Sequence, residues 1–412
     1  MLTRSFLYIL IGWAPLAAQE RLELAPLVGE ALRNNREILA AQKRYEAARQ
    51  RPDQENALPD PMLSLGYASN GSPRPFARLG VEPTANAGFM VSQEFPFPGK
   101  RKLRGDMAVK EAEAEREQLR SVIRNVTSRV RQAYHRLHHS YAATEILERN
   151  RDLLRKFIRI AEARYSVGRA AQQDILKAQT QLSILETRLV RMQQDRRAAE
   201  AELNSLLNRP PDSPLARPVD LPPGSLKATL EELYARARQE SPMLGLEQKK
   251  IERTELAVNL ARKDYYPDYT LSAGYFNMGR MPDMYQFRVD FKLPGYFWRK
   301  QRPAVTEQAL RLDEARRNYE AANQSLNFRI QDDYLMAQAS SRLMEMYAKT
   351  VVPQAALTLE SSLPAYETGS VDFLTLLMNF MTVVEYELNY HEEMLNFHLA
   401  LARLEEMTGV GL

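Results

Sequence analysis

The sequence predicts a mainly α protein with a small β part, built from one helix–β-hairpin–long helix–return helix unit used twice. Three observations predict it. The chain repeats itself about 200 residues apart: Pro59-Asp60-Pro61-Met62-Leu63-Ser64-Leu65-Gly66-Tyr67 returns as Pro267-Asp268-Tyr269-Thr270-Leu271-Ser272-Ala273-Gly274-Tyr275, and Tyr165-Ser166-Val167-Gly168 as Tyr366-Glu367-Thr368-Gly369. Phe89-Met90-Val91 realigns with Phe287-Arg288-Val289, which places a deletion of roughly ten residues in the intervening loop of the second copy. Duplication on this scale is one structural unit used twice. Second, Ala, Glu, Arg, Gln and Leu dominate, 26% of residues are charged and only 17 of 412 are Gly, the profile of long helices and coiled coils. Third, each copy holds two short runs of alternating character followed by a long stretch almost free of Pro and Gly.

The N-terminus comes first in order. Arg4, the apolar run Phe6 to Trp13 and Leu16-Ala17-Ala18 read as a cleavable export signal over 1–18. A buried first helix is the other reading of this run, which is too short to span a bilayer. The absence of cysteine excludes disulfides and a lipid anchor on the mature N-terminus, and suits an oxidising periplasm. No later segment offers about 18 consecutive apolar residues, so a transmembrane helix is not expected.

Residues 26–57 carry helical spacing through Leu27, Ala31, Ile38, Ala41, Tyr45 and Ala48, and Pro59 and Pro61 stop it. Strands follow at about 60–70 and 86–96, and in the second copy at about 267–277 and 284–293. Tyr285, Phe287, Val289, Phe291 and Leu293 alternate with Gln286, Arg288, Asp290 and Lys292. One aromatic-rich face and one charged face fit an outer-membrane barrel, apolar to lipid and polar to a lumen. A soluble sheet packed on the helices would also alternate, but it leaves the charged face of Arg288, Asp290 and Lys292 bordering nothing.

A long helix then runs from about Lys100 to Arg164, and its counterpart from about Pro303 to Leu363 with a bend expected at Pro353. Gly168 and Gly369 turn the chain into return helices that end at Asn208-Arg209-Pro210-Pro211 and Thr408-Gly409. The repeats therefore span 19–212 and 213–412. Opening and return helices together match the long helix in length, so they can stack end to end beside it in a rod of about 100 Å. Two hairpins supply four strands, too few to close a barrel, and open edges in lipid cost several kcal/mol per unpaired group. Several copies of the chain must combine.

In this order of elements the chain resembles the TolC-like outer membrane factor family over essentially its whole mature length. The most specific pieces are Arg164-Tyr165-Ser166-Val167-Gly168 with Gln173-Asp174-Ile175-Leu176-Lys177-Ala178-Gln179, and Tyr366-Glu367-Thr368-Gly369 with Val371-Asp372-Phe373-Leu374. Gln93-Glu94-Phe95-Pro96-Phe97-Pro98-Gly99-Lys100-Arg101 resembles the CzcC/CusC-like heavy-metal branch. The resemblance implies a homotrimer whose twelve-stranded outer-membrane barrel sits on a helical tunnel through the periplasm. It implies docking of the tunnel tip onto a periplasmic adaptor protein and an inner-membrane pump of the resistance-nodulation-division type. The function expected is a passive exit duct for heavy-metal cations or drugs. A duct for type I protein secretion and a soluble periplasmic coiled-coil scaffold are the alternatives.

The resemblance also nominates residues. Arg164, Tyr165, Gly168, Tyr366 and Gly369 are adaptor-docking candidates, although simple helix–turn–helix closure explains them too. Best-known members carry acidic rings six and nine residues past the second tip glycine, where this chain has Thr375 and Met378. The matching positions after Gly168 are Asp174 and Lys177; Asp174 either forms an anionic ring or flanks its helix start. Leu374, Thr375 and Met378, with Asp174 and Lys177, are the constriction candidates.

Metal signals are weak. Met278, Met281 and Met284 offer thioethers that suit Cu(I) or Ag(I), yet Met is also a gap-filler. His135, His138 and His139 have a ligand-like spacing on a charged helix, where a solvated or tunnel-facing surface is expected instead. No cofactor is expected. The charge of +4 comes from interspersed 56 basic and 52 acidic residues, without the basic stripe of a nucleic-acid binder. No phosphate loop, nucleophile elbow or His-Glu-x-x-His helix argues for an enzyme.

Overall fold

The computed structural model describes residues 21–71, 73–221, 224–409 and 411; the expected export signal lies outside them. The elements run α1 (Leu24–Asn34), α2 (Arg36–Ala48), α3 (Arg51–Asn56), β1 (Met62–Ala68), β2 (Asn86–Phe95), α4 (Lys100–Ser166) and α5 (Gln172–Leu206). The second set is α6 (Leu230–Glu240), α7 (Pro242–Lys263), β3 (Asp268–Asn277), β4 (Met284–Lys292), α8 (Gln301–Met346), α9 (Val352–Thr368) and α10 (Phe373–Thr408). Its 67 residues make α4 about 100 Å long at 1.5 Å per residue. No helix among the described residues is long and apolar enough to cross a membrane.

The opening helix expected over 26–57 is in fact three. Asn35 is extended (φ −65°, ψ 127°), its Oδ1 accepts from the N–H groups of Glu37 and Ile38, and its Nδ2 donates to the Leu206 carbonyl. A side chain that caps a new helix start and satisfies a foreign carbonyl makes the break stable. The second repeat breaks at the matching place. Ser241 is extended because Pro242 follows it, and a capping box of Thr229 and Glu232 starts the short helix before it.

The second long helix does not simply bend at Pro353. Residues Tyr347–Val351 form a π segment between α8 and α9. Pro353 lacks the N–H that an α-helical carbonyl four residues back would need, and the wider turn absorbs the mismatch.

α4 packs against α1, α2, α3 and α5 of its own repeat and against α7 and α10 of the other, while α8 packs against α6, α7 and α10. The core is accordingly a chain of clusters along the rod. Near the hairpin tips Leu154, Phe157 and Ala161 of α4 meet Leu185 of α5 and Phe373, Leu376 and Phe380 of α10. Further along, Val126, Val130 and Leu137 meet Leu27 of α1 and Leu203 of α5. Each buried aromatic or aliphatic side chain here contributes about 1.5–3 kcal/mol. An ion-pair lattice also crosses the repeats: Lys110 and Glu113 of α4 bond Glu252 and Lys249 of α7 at 2.9 and 3.0 Å.

The four strands form one antiparallel sheet in the order β1-β2-β3-β4. Among the described residues no helix packs extensively against it. The loop over 69–85 in the first hairpin shrinks to 278–283 in the second.

Candidate functional site

Three places gather the chemistry: the sheet, the middle of the rod and the paired hairpin tips. In the sheet, register turns the alternation of four separate strands into two continuous faces. Leu63, Val91, Ala273 and Phe287 lie in one row, Leu65, Phe89, Tyr275 and Tyr285 in the next, and Phe95, Tyr269 and Phe291 in a third. This face is bare in the single chain, Phe287 being 82% exposed. The opposite rows hold Met62, Ser92, Ser272 and Arg288, and Glu94, Thr270 and Asp290. Ser92 and Ser272 share a buried hydrogen bond of 2.9 Å, and Arg288 pairs with Asp290 at 2.9 Å. Lys292 lies on this polar side opposite Asp268. A bare apolar face of aromatic and branched side chains beside a polar one is what lipid on one side and water on the other require.

The Gln93–Arg101 segment anchors the sheet to the rod. Gln93 Nε2 donates to the Pro59 carbonyl, and Phe97 stacks on Tyr266 at 4.5 Å. Lys100 is buried, and its Nζ bonds the Tyr266 carbonyl at 3.1 Å and Asp268 at 2.9 Å, with Asp264 at 3.3 Å. A buried ammonium is tolerated because all of these oxygens compensate it.

Around the middle of the rod the structure corrects the solvated reading for His135, which is buried where α4 meets α10. His135 is 7% exposed and stacks on His398 of α10 at 4.5 Å with an interplanar angle of 10°. His138 and His139 are half-buried, and His391 of α10 faces them, so all five histidines of the sequence meet where α4 crosses α10. Burial first, then neighbouring imidazoles, hold His135 down to about 3 and His391 and His398 to about 4. Tyr134 pins the chain beside them: its hydroxyl donates to the Leu22 carbonyl at 3.0 Å and accepts from the Val219 N–H at 3.2 Å. A cavity of about 410 Å³ adjoins, lined by His138, Tyr141, Glu145, Asp220, Tyr390 and His391. Among the described residues no three His, Asp or Glu side chains are arranged to hold a metal ion. The histidines of α10 escaped the sequence reading, although their seven-residue spacing puts them on one face of a helix.

The hairpin tips share one backbone device. Gly168 and Gly369 both adopt left-handed φ, 73° and 86°. Beyond them the Arg169 N–H donates to the Arg164 carbonyl, and the Ser370 N–H to the Ala365 carbonyl, each at 2.8 Å. Such a six-to-one bond closes a helix end only where a residue without Cβ strain follows it.

The side chains then differ. Arg164 reaches from the first tip to the second, donating to the Tyr366 and Glu367 carbonyls at 2.6 Å while its guanidinium lies 4.7 Å over the Tyr366 ring. Tyr366 is buried, against Phe373 on its other side, whereas Tyr165 is exposed. Arg164 and Tyr366 thus fasten the tips to one another, and Tyr165, Gly168 and Gly369 stay at the surface.

On the return helices Asp174 is half-buried in the first turn of α5, behind an Ala171 N-cap that offers no side-chain acceptor, and Lys177 is exposed. On α10 the N-cap is Asp372, which accepts from the Thr375 N–H at 2.9 Å. Leu374, Thr375 and Met378 are exposed, Met378 at 59%. Met278 and Met281 lie half-buried in the β3–β4 loop, while Met284 is the first residue of β4, opposite Phe276.

A four-stranded sheet with one bare apolar face, carried on two long helical hairpins, has the form of a membrane channel protein. The sequence matches the profile of the outer membrane efflux protein family over residues 27–209 and 233–410, and the chain belongs to that family. Its place is the outer membrane and its family role is efflux, as a TolC-like outer membrane factor. No curated protein matches it. Among solved structures it is similar to CusC, in crystal structures concerned with folding and transmembrane channel formation, at 18% identity and a TM-score of 0.80 over 95% of this chain and 93% of that one. VceC of Vibrio cholerae is similar at 20% identity and 0.80, over 94% and 96%. The open state of Neisseria gonorrhoeae MtrE follows at 18% and 0.77, over 94% and 89%. These likenesses concern the fold.

Proposed function

We propose that three copies of this chain form a twelve-stranded barrel in the outer membrane, continued by a helical tunnel across the periplasm. The assembly is the passive exit duct of a tripartite efflux system. A periplasmic adaptor docks at the tip around Tyr165, Gly168 and Gly369, with Arg164 and Tyr366 holding that surface in shape. An inner-membrane pump of the resistance-nodulation-division type supplies the energy. Each chain consists of repeats 19–212 and 213–412 behind a cleaved export signal. Arg288, Asp290 and Lys292 face the lumen, and Asp174, Lys177, Leu374, Thr375 and Met378 line the tunnel near its periplasmic mouth. The cargo is heavy-metal cations, on the resemblance of Gln93–Arg101, with organic drugs and secreted proteins as the competing cargoes.

The observation that carries this reading is the open sheet. Among the described residues β1 and β4 each pair on one side only, and the apolar rows are uncovered. Both features are costly in water and resolved by a closed barrel in lipid. Membrane fractionation tests the duct: the protein runs as heat-modifiable trimers from outer-membrane fractions, and a purely soluble periplasmic protein contradicts it. Deletion of the gene tests the cargo. Lost tolerance to copper, silver, zinc or cobalt supports metals, and unchanged tolerance to all four removes them.

A further inference from the structure

Holding the sheet to the rod uses only part of the Phe95–Arg104 corner. Each repeat leaves its second strand through aromatic residues and then a basic run. In the first the order is Phe95, Phe97, Lys100, Arg101, Lys102 and Arg104; in the second it is Tyr296, Phe297, Trp298, Arg299, Lys300 and Arg302. No Asp or Glu interrupts 95–105 or 293–306. Lys100 is consumed by Asp264 and Asp268. Arg101, Lys102, Arg299, Lys300 and Arg302 make no ion pair or side-chain hydrogen bond with a described residue. The two corners are neighbours, since one cleft of about 370 Å³ is lined by Arg104 of the first and by Tyr296, Lys300 and Gln301 of the second. Tyr296, Phe297 and Trp298 are exposed and follow closely on Phe291, an exposed member of the last apolar row, and on the exposed Leu293 just past β4.

We propose that these corners form a collar that binds the phosphate groups of anionic phospholipids in the leaflet on the helix side of the sheet. The inference rests on the sheet being the membrane-inserted part. Rings with an apolar body and a polar edge settle at the level of the headgroups. Unpaired Lys and Arg just beyond that level meet phosphate oxygens, with a strength that falls as salt rises. Zwitterionic headgroups carry their own cation and compete poorly for such a surface. Repetition of the pattern in both halves puts two corners on every chain, so a closed ring of chains would carry it around the whole circumference.

The chain reports on this directly. Its two tryptophans are Trp13, inside the expected export signal, and Trp298, inside the collar. The mature protein is reconstituted into phosphatidylcholine vesicles carrying equal mole fractions of brominated phosphatidylglycerol or brominated phosphatidylcholine, and Trp298 quenching is compared. The collar predicts at least two-fold stronger quenching by the brominated phosphatidylglycerol. The preference is expected to disappear at high salt and in the variant Lys102→Gln/Arg299→Gln/Lys300→Gln/Arg302→Gln. It should survive millimolar inorganic phosphate, and survive in Arg188→Gln/Arg191→Gln, which removes exposed cations of α5 instead. Equal quenching by the two lipids in protein that has inserted overturns the collar and leaves the duct standing. Quenching by neither, in protein that never inserts, overturns both.

Discussion

The two hairpin tips are built to one plan and finished differently. Both end on a left-handed glycine with the same six-to-one bond. Yet Tyr165 is 46% exposed and its counterpart Tyr366 only 3%. Two residues bury Tyr366: Arg164, which lies over its ring, and Phe373, which packs against it. Arg164 has Ala365 as its equivalent and Phe373 has Gln172, so only the first tip owns an arm and only the second has an aromatic ring to pack beneath it. The return helices diverge as well: Ala171 and Lys177 of the first correspond to Asp372 and Met378 of the second. Duplication preserved the backbone solution, and side-chain divergence made one tip a clasp and the other its catch.

The largest way to break the likeness of the repeats is in the sheet, where they should respond alike. Leu65→Arg in the first hairpin and Phe287→Arg in the second each put a charge on the bare face, at about 2–4 kcal/mol per chain if it meets the bilayer midplane. Both should lower the yield of heat-modifiable oligomer in membrane extracts; loss in only one would show that the two hairpins do not share an environment.

At the tips the response should be one-sided. Arg164→Ala removes charge-assisted bonds to two carbonyls, about 1.5–3 kcal/mol of local stability. Amide exchange should quicken over residues 366–372 far more than over 165–171. Lysine in its place should not restore the protection, because a point charge cannot serve two carbonyls and a ring together. Equal exchange at both tips would remove the clasp.

The histidine cluster offers a comparison of pH. Its folded pKa values, about 3 for His135 and about 4 for His391 and His398, lie below the unfolded value near 6.5. Above about 6.5 both states are neutral and the cluster is indifferent to pH. Below it the unfolded chain takes protons first, so stability falls as pH drops toward about 4. Arg131 and Arg149 act in the same direction, and Asp220, Glu145, Glu392 and Asp195 oppose them. The thermal midpoint of the purified protein should drop between pH 7 and pH 5, and His398→Leu should flatten that drop. An unchanged slope would mean the cluster is not buried in solution.

The smallest effect concerns the helix starts. Asp372→Ala should cost about 0.5–2 kcal/mol, while Ala171→Asp, supplying the missing cap, should gain about 1 kcal/mol. Denaturation midpoints moving in the same direction would contradict the asymmetry.

Most of the fold was legible because periodicity writes it plainly. The alternation of Tyr285 to Leu293 and the Pro-free run after Lys100 gave strand and helix without ambiguity, and the tip glycines marked the turns. The breaks were less visible. Asn35 looks like any polar residue on a helix face until its amide meets the Leu206 carbonyl, a partner 171 positions away. His135 reads as part of a polar face for the same reason, because the ring it stacks on, His398, lies on α10. The Arg164 clasp likewise depends on carbonyls more than 200 residues distant, which no local pattern announces.

The central claim is that each chain supplies one part of a barrel closed between copies. The sequence contains no cysteine, so Ser64→Cys on β1 and Gln286→Cys on β4 introduce the only thiols. Within one chain these outer strands stand about 14 Å apart, since two strands separate them at about 4.8 Å spacing. Treatment of outer-membrane fractions with a short bismaleimide, followed by denaturing electrophoresis, therefore reads contacts between chains. The account predicts a ladder of cross-linked species that ends at three chains. Only the single chain, at any cross-linker concentration, would contradict it.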